Sequence, residues 1–389
     1  MTPAARIASA IDILDDILSG TSAEKALKDW ARGHRFAGSK DRAALRDHVF
    51  DALRQRRSLA ALGGADTGRG LMIGWVRASG GDVDQIFSGE GYGPLALSDA
   101  ERDAGRTPDS PAERLDLPDW LYPEVTGSLG DAAGPCLELL RQRAPVFLRV
   151  HLRKAPRSEA MTQLASEGIT TEPHDLSPSA LRVIEGARRI RTSAAYLDGL
   201  VELQDAASQA VSDRVPLEEG QSLLDYCAGG GGKTLAIAGR VQGRFVAHDA
   251  NPARMKDLPA RAARAGLSVR CLTSDELKLA GIFDTVVVDA PCSGSGSWRR
   301  DPEGKWGLTA QKLAETVALQ ARILDQAAAH VGVGGHLTYM TCSILQRENA
   351  AQVADFLART PGWSQADSHQ FLPQDGGDGF FFADLTRNA

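Results

Sequence analysis

The stretch "SLLDYCAGGGGKT" (222–234) decides the fold class, because an apolar strand pattern ends there in a glycine-rich loop that opens a helix. Beyond it the chain alternates between helical and strand patterns, with further strands at "RFVAHD", "SVRCL", "DTVVVDA" and "GGHLTYMTCS". Strands that alternate with helices predict a parallel sheet covered on both faces. Ligands of such sheets bind at the carboxyl ends of the strands. We therefore predict an α/β, Rossmann-like domain over residues 193–389.

Two kinds of nucleotide site compete for the loop "DYCAGGGGKT" (225–234). A P-loop requires a glycine five residues before its Gly-Lys-Thr, and this sequence has Cys227 at that position. A Rossmann-type cofactor site instead uses glycines for close backbone approach and an acidic residue about 20 positions later. Asp249 has that spacing, and Asp275 and Asp289 follow the next two predicted strands. Three such acids favour S-adenosylmethionine, with its adenosine and ammonium groups; helix N-caps are the structural alternative.

Two of the five cysteines, Cys292 and Cys342, lie at the ends of predicted strands. Methylation of a cytosine at C5 requires a thiolate that adds to C6, because C5 alone is too weak a nucleophile. Nearby cations lower the pKa of a thiol, and the candidates here are Lys233, Arg299 and Arg300. The alternative is that both cysteines are small buried core residues, as free cysteines commonly are.

Composition restricts the class of protein. The 389 residues carry a net charge of −6, no run of 18 apolar residues and no signal-peptide pattern, so we expect no membrane segment. The five cysteines are widely spaced without a CxxC pair, which predicts neither a zinc site nor a disulfide framework. We therefore expect a reduced, cytoplasmic protein without a bound metal.

Positive charge is clustered despite the negative total. Residues 24–57 hold ten Lys and Arg against five Asp and Glu, and residues 141–157 hold six basic residues and no acid. Clustered positive charge is typical of a phosphate-binding surface, and solvated helix faces are the alternative. Together the two clusters favour a polyanionic partner.

The part of the chain before residue 193 predicts two smaller units. Residues 1–105 show helical periodicity from Ile7 onward. A stretch rich in Gly, Pro and Asp follows, and we predict a linker at 106–117. Residues 118–192 mix helix and strand patterns and predict a small α+β subdomain.

The motifs "DAPCSGSGSWRRDPEGKW" and "TYMTCSILQRENAAQV" resemble the paired signatures of the Sun family of RNA cytosine-C5 methyltransferases. "DYCAGGGGKT" resembles the cofactor loop of that family, and "APVFLRVHLRK" its small RNA-binding subdomain. The first hundred residues, with "GSKDRAALRDHVFDALR", resemble the NusB-like helical RNA-binding domain of the RsmB-type bacterial ribosomal-RNA enzymes. The resemblance implies that Cys342 is the nucleophile and that Cys292 assists product release.

One departure from the family pattern concerns the cofactor loop. The family has Ala-Pro where this chain has Gly229 and Gly230. Loss of a proline enlarges the unfolded ensemble, typically by about 0.4–1 kcal/mol. We expect a softer loop and weaker cofactor binding, with no side chain needed for the chemistry removed.

These observations combine into one functional hypothesis. We expect a monomeric, S-adenosylmethionine-dependent RNA cytosine-C5 methyltransferase that acts on 16S ribosomal RNA. A tRNA substrate, a non-catalytic RNA-binding protein, and a DNA cytosine methyltransferase with Cys292 as nucleophile are the alternatives. Besides the two cysteines, the expected catalytic residues are Asp289 and Lys233. The expected cofactor-binding residues are Cys227, Ala228, Gly229, Gly230, Gly231, Gly232, Lys233, Asp249, Arg254, Asp275 and Asp289. The expected RNA-binding residues are Arg149, Arg153, Lys154, Arg299 and Arg300.

Overall fold

The computed structural model describes residues 1–388, which form two compact units. The first unit contains Met1–Arg143 and Trp298–Gly307, and the second contains Ala144–Ser297 and the chain from Leu308 onward. The helices of the described residues are α1 (Pro3–Leu18), α2 (Ala23–Gly33), α3 (Ser39–Arg54), α4 (Arg56–Gly63), α5 (Gly68–Ala78), α6 (Val83–Ile86), α7 (Asp99–Asp103), α8 (Pro111–Arg114), α9 (Tyr122–Leu129), α10 (Ala133–Leu140), α11 (Arg157–Ser166), α12 (Ala194–Leu197), α13 (Ala206–Asp213), α14 (Gly232–Ala238), α15 (Leu258–Ala265), α16 (Ser274–Leu277), α17 (Pro302–Gly307), α18 (Ala310–Ala328) and α19 (Ala350–Arg359).

The strands are β1 (Val146–Val150), β2 (Thr170–Pro173), β3 (Ala180–Glu185), β4 (Val201–Leu203), β5 (Ser222–Asp225), β6 (Arg244–His248), β7 (Val269–Leu272), β8 (Phe283–Asp289), β9 (Val331–Thr341), β10 (Trp363–Phe371) and β11 (Phe380–Arg387). Within residues 1–388, no helix combines the length and the apolar composition needed to cross a bilayer.

The first unit is built from α1–α10 around an apolar core. Helix α1 begins with the Thr2 side chain capping Ala5 N–H and Pro3 in the first turn, an arrangement that satisfies an otherwise unpaired amide. Its Ile7, Ile13 and Leu14 recur at helical spacing and are buried. Helices α4 and α5 approach closely, since a Cβ at Gly74 would lie 2.0 Å from the carbonyl oxygen of Leu59.

Residues 106–117 are part of this unit and do not form the linker that the sequence predicts. The Arg106 guanidinium binds the Glu113 carboxylate at 2.7 Å. Asp116 is fully buried and accepts hydrogen bonds from Ser58 N–H at 2.8 Å and Arg141 Nε at 2.7 Å. The Pro and Asp residues of this stretch thus form capped turns fixed by ion pairs, and the helical unit extends to Arg143 rather than ending near residue 105.

The segment Trp298–Gly307 also belongs to the helical unit, although sequence patterns assign it to the α/β domain. The last carbonyls of α3 have no partner inside the helix. Trp306 Nε1 donates to Leu53 O at 2.6 Å, and Lys305 Nζ donates to Arg54 O at 3.1 Å. Lys305 is buried, which lowers its pKa to about 8. The segment therefore caps the carboxyl end of α3.

The second unit contains two sheets. The smaller is antiparallel with strand order β2-β3-β1-β4, and it buries Leu148, Val150 and Leu181 against Leu164 of α11. The larger has the order β10-β11-β9-β8-β5-β6-β7; β7, β6, β5, β8 and β9 are parallel, and β11 and β10 add as antiparallel strands. The predicted α/β, Rossmann-like class and its five strands are confirmed.

Candidate active site

The two cysteines lie side by side at the carboxyl edge of the larger sheet. Strands β8 and β9 are parallel neighbours with Asp289 opposite Met340, so the residues that follow the two strands meet. Gly296 N–H donates to Cys342 O at 2.9 Å, which holds the loop after β8 against the end of β9. The Sγ atoms of Cys292 and Cys342 are 3.3 Å apart. The structure thus brings together the two residues that the sequence predicts as nucleophile and release group.

The two thiols have different environments. The hydrogen bond to Cys342 and burial raise the pKa of Cys292 well above its ordinary value. Cys292 therefore remains a neutral thiol, and its S–H can donate to the Cys342 sulfur. This arrangement suits a pair in which Cys292 donates a hydrogen bond to the neighbouring sulfur.

Lys233 and Asp289 form an ion pair at the same edge. Lys233 Nζ lies 3.1 Å from Asp289 Oδ2 and 2.8 Å from Ser208 Oγ, and it sits 4.3 Å above the centre of the Phe380 ring. The side chain of Lys233 is 7% exposed and that of Asp289 is 33% exposed. Asp289 thus keeps access to a ligand while Lys233 fixes its orientation. Ser208, which positions Lys233, was not singled out in the sequence, since it lies 25 residues away on α13.

Asp225, at the end of β5, is a second buried acid beside this pair. Burial raises the pKa of Asp225 to about 7. Its Oδ2 accepts from Thr234 Oγ1 at 2.6 Å, whereas its buried Oδ1 has no hydrogen-bond partner among residues 1–388. The glycine loop therefore begins with a carboxyl group that burial keeps partly protonated near neutral pH.

The Asp249 carboxylate fixes the glycine loop through hydrogen bonds. Its Oδ2 accepts from Gly229 N–H at 2.9 Å and from Arg254 at 3.0 Å, and its Oδ1 accepts from Asn251 N–H at 2.9 Å. Gly229 has a φ of +50°, which a residue with a side chain rarely adopts. Gly229 of the loop and Asp249, which are 20 residues apart in the sequence, are thus in direct contact.

The neighbours of Gly229 in the glycine loop are also held by specific contacts. Ala228 N–H donates to His248 O at 2.8 Å, and the Gly230 carbonyl accepts from Arg261. Gly231 precedes α14 with a φ of +78°, and a Cβ there would lie 2.2 Å from Leu258 Cδ1. Burial and the neighbouring Asp225 raise the pKa of Cys227, so its thiol is inert.

A cavity of about 610 Å³ opens beside the loop. Its polar lining includes Asp249, Arg254, His248 and Ser274, and its apolar wall includes Leu277 and Ile323. A nucleoside has an apolar ring and polar ribose hydroxyls, so these residues fit the adenosine of S-adenosylmethionine. Pro291, next to Cys292, also lines the cavity and links it to the cysteine loop.

Asp275 does not line this cavity, although its neighbours Ser274 and Lys278 do. Its side chain is 90% exposed and binds Lys278 Nζ at 2.8 Å. Asp275 occupies the first turn of α16, where a negative charge is favourable at a helix N-terminus. The position of Asp275 thus gives no support to the prediction that it binds the cofactor, and it is not a helix N-cap either, since Thr273 caps α16.

The basic segment 149–154 is used differently from the prediction. Arg149 is 9% exposed; it donates to the Gln204 side chain and to Gly232 O, at the start of α14. Burial lowers the pKa of Arg149 to about 10. A side chain placed in this way has no surface on which to meet RNA, so the structure places Arg149 outside the predicted RNA interface.

Arg153 and Lys154 are exposed, but both also bind backbone carbonyls. Arg153 donates at 3.0 Å to the carbonyl oxygen of Ala238, the last residue of α14. Lys154 Nζ donates at 3.1 Å to the carbonyl oxygen of Arg264, near the end of α15. Cations at helix C-termini are stabilising. A role of these two residues in RNA binding stays a prediction.

Arg299 and Arg300 lie in the segment that belongs to the helical unit. Arg299 is 4% exposed and its carbonyl accepts from Arg54 Nε at 2.7 Å, whereas Arg300 is exposed. The buried position of Arg299 does not fit a direct contact with RNA phosphates, and the contact predicted for Arg300 stays a prediction. Within residues 1–388 no three His, Cys, Asp or Glu side chains converge as a metal site requires.

One carboxylate joins the two cysteine loops. Glu348 is fully buried and accepts hydrogen bonds from Ser293, which follows Cys292, and from Ser343, which follows Cys342. Sequence reasoning missed it, although it lies in the quoted motif "TYMTCSILQRENAAQV". A buried acid six residues after a candidate nucleophile was the available signal.

Comparison with known proteins agrees with this geometry. The family model described as 16S rRNA methyltransferase RsmB/F matches residues 214–386, and that of the RsmF/B-like ferredoxin-like domain matches residues 117–190. Ribosomal RNA small subunit methyltransferase B of Pectobacterium carotovorum subsp. carotovorum (strain PC1) is 33% identical over 285 residues, or 70% of this chain and 66% of that protein. The enzyme of the same name from Vibrio cholerae serotype O1 (strain ATCC 39315 / El Tor Inaba N16961) is 33% identical over 289 residues, or 71% and 66%.

The chain thus spans 66% of the length of these curated relatives. The solved structure of PH0851 has the same fold, with a TM-score of 0.80 over 99% of each chain at 24% identity. Both family models and the relatives converge on one group of proteins, and the candidate cofactor cavity fits the cofactor of that group. The chain belongs to the RsmB/F family of S-adenosylmethionine-dependent methyltransferases.

Proposed function

We propose that this protein methylates C5 of a cytosine in 16S ribosomal RNA through a covalent bond between Cys342 and C6 of the base. The observation that carries the proposal is the 3.3 Å separation of the Cys292 and Cys342 sulfurs at the carboxyl edge of the sheet, where Pro291, next to Cys292, lines the candidate cofactor cavity. The names of the relatives, ribosomal RNA small subunit methyltransferase B, support ribosomal RNA as the substrate class.

Cys342 begins the reaction. Its thiolate adds to C6, and the electron pair displaced from the C5–C6 double bond makes C5 nucleophilic. When bound, S-adenosylmethionine supplies the methyl group that C5 takes up. Asp289 is the candidate to hold the polar edge of the pyrimidine, since Lys233 contacts only its Oδ2 oxygen.

Cys292 acts at the end of the reaction. Solvent water takes the C5 proton, the electron pair of the broken C5–H bond re-forms the C5–C6 double bond, and the bond between C6 and sulfur breaks with its electron pair left on the Cys342 sulfur. The neutral thiol of Cys292 donates a hydrogen bond to the departing Cys342 sulfur and stabilises its negative charge. Without this hydrogen bond the enzyme would remain attached to methylated RNA.

Purified protein, S-adenosylmethionine and RNA test the proposal. The RNAs are protein-free 16S rRNA, small-subunit particles and total tRNA, with bisulfite sequencing as the measurement and the Cys342→Ser variant as control. We expect one cytosine of 16S rRNA to resist conversion with the parent enzyme and none with the variant. Modification of tRNA alone would contradict the substrate, and RNA binding without any 5-methylcytosine would favour the non-catalytic alternative.

A further inference from the structure

Glu348 is the only residue among those described whose carboxylate binds both cysteine loops. It lies in the turn Gln346–Glu348 after β9 and has no exposed surface. Its Oε1 accepts from Ser293 N–H at 2.7 Å and from Gln320 Nε2 at 3.1 Å. Its Oε2 accepts from the hydroxyls of Ser293 and Ser343, each at 2.5 Å. Four donors satisfy a buried carboxylate that would otherwise be costly to bury.

The serines that bind Glu348 directly follow the two cysteines. Ser293 and Ser343 are 50 residues apart in sequence, and each is the chain neighbour of one reacting sulfur. Tyr339 adds to this frame by donating to the Glu348 carbonyl at 2.7 Å. A displacement of Glu348 would therefore move Cys292 relative to Cys342. The release step requires the short distance of 3.3 Å between their sulfurs.

The charge of Glu348 acts on the same step. The four groups that donate to this carboxylate, namely two serine hydroxyls, one side-chain amide and one backbone N–H, are neutral, so its negative charge acts on the buried groups around it. Together with the Cys342 hydrogen bond and burial, Glu348 raises the pKa of Cys292. A Cys292 that keeps its proton remains a hydrogen-bond donor to Cys342.

We propose that Glu348 is a positioning residue of the product-release step, which holds the two cysteine loops in register and keeps the Cys292 thiol directed at Cys342. The inference rests on the proposed function, because it concerns release from the Cys342 adduct. It assigns no contact between Glu348 and the substrate. Loss of Glu348 should leave attack and methyl transfer largely intact and should slow departure of the RNA.

The test compares Glu348→Gln, Glu348→Asp and Cys292→Ala with the parent under single- and multiple-turnover conditions. A displacement of catalytic groups by about 1 Å typically costs about 100-fold. We therefore expect multiple turnover of Glu348→Gln to fall about 10- to 100-fold, while one methyl group per enzyme is still transferred. Enzyme covalently bound to RNA should accumulate, and Glu348→Asp should restore part of the turnover.

Asp384→Asn is the matched control, because Asp384 is another buried carboxylate of the same sheet, bound to His336 at 2.9 Å. A merely structural loss would lower the active fraction in Asp384→Asn and Glu348→Gln alike, without accumulation of adduct. If Glu348→Gln does not fold, Ser293→Ala and Ser343→Ala are used instead, and the accumulation of covalent enzyme–RNA adduct is measured in the same way. Parent-like turnover in both would overturn the inference.

Failure of the inference differs from failure of the proposed function. If the parent forms 5-methylcytosine and Cys292→Ala accumulates adduct, but Glu348→Gln turns over like the parent, only the role of Glu348 is wrong. If neither the parent nor any variant forms 5-methylcytosine or an adduct, the proposed function is wrong.

Discussion

The cysteine edge, formed by Asp225, Lys233, Asp289, Cys292 and Cys342, and the basic segment 149–154 both carry reactive or charged side chains. At the cysteine edge the environment favours the neutral form of two groups: Asp225 has a buried oxygen without a partner among residues 1–388, and Cys292 is held as a neutral thiol. In the basic segment each cation binds carbonyl oxygens, and two of these lie at or near the ends of helices.

This difference separates chemistry from stability. Side chains at the carboxyl edge of a parallel sheet lie where its ligands bind. Cations paired with helix carbonyls stabilise the fold. Substitutions at the cysteine edge should therefore remove activity and leave the protein folded, and substitution of the buried Arg149 should do the reverse.

The largest effect is expected at Cys342. Cys342→Ala removes the only group proposed to activate C5, so methyl transfer should fall at least about 1,000-fold. The melting temperature should stay close to that of the parent. Methyl transfer to 16S rRNA and thermal unfolding measure the two quantities. Cys271→Ala, a partly buried cysteine on β7, is the control and should keep full activity.

Arg149→Met should give the opposite result. It removes the hydrogen bonds to Gln204 and Gly232. Gly232 O keeps a donor in Gln204 Nε2 at 3.2 Å, so the acceptor that loses its partner is the Gln204 side-chain oxygen. One buried acceptor without a donor costs about 1–3 kcal/mol, and we expect a loss of that size in the free energy of unfolding, measured with denaturant, with unchanged salt dependence of RNA binding by the folded protein. Arg182→Met, at an exposed arginine of the same small sheet, should stay within about 0.5 kcal/mol. A flatter salt dependence for Arg149→Met would return this residue to the RNA interface.

Asp249→Ala should weaken cofactor binding by about 1.5–3 kcal/mol, because it releases the Gly229 and Asn251 amides that shape the loop. Calorimetric titration with S-adenosylmethionine measures the effect. Asp275→Ala is the matched control, since Asp275 lies outside the cavity, and its affinity should equal that of the parent. If Asp249→Ala and Asp275→Ala lost the same amount of S-adenosylmethionine affinity, the negative charge of the region, and not the contact with the loop, would determine the affinity.

A pH dependence of stability is also expected at the cysteine edge. Burial raises the pKa of Asp225 to about 7 in the folded protein, from 3.8 when unperturbed. Between these values the folded state holds more protons than the unfolded chain, so the contribution of Asp225 to stability is full below pH 4 and is lost as the pH rises to 7. Asp225→Asn removes this titration. The free energy of unfolding of the variant should therefore decline less than that of the parent between pH 4 and pH 7, by at most about 1.4 kcal/mol per pH unit. Parallel curves for parent and variant would contradict the raised pKa.

The sequence predicted the parts of the site that follow from the sheet alone. Parallel strands end at one edge, so cysteines after "DTVVVDA" and "GGHLTYMT" had to lie near each other. The spacing between the glycine loop and Asp249 likewise corresponds to one strand–helix–strand unit. These inferences needed only the order of the elements.

The remaining features depend on partners that are distant in the sequence. Arg149 binds Gln204 and Gly232, which lie 55 and 83 residues away, so its charge alone suggested a surface. Trp298–Gly307 caps α3, about 250 residues earlier, and its placement in the helical unit follows from that contact. Periodicity and local charge contain no information about such pairings.

The central claim is that Cys342 attacks and Cys292 releases, and a denaturing gel with labelled 16S rRNA tests it most directly. Cys292→Ala, Cys342→Ala and the double variant are incubated with S-adenosylmethionine and RNA, denatured and separated. The account predicts a retarded, covalent RNA–protein band for Cys292→Ala and none for the other two. A retarded band for Cys342→Ala and none for Cys292→Ala would identify Cys292 as the nucleophile and contradict the account.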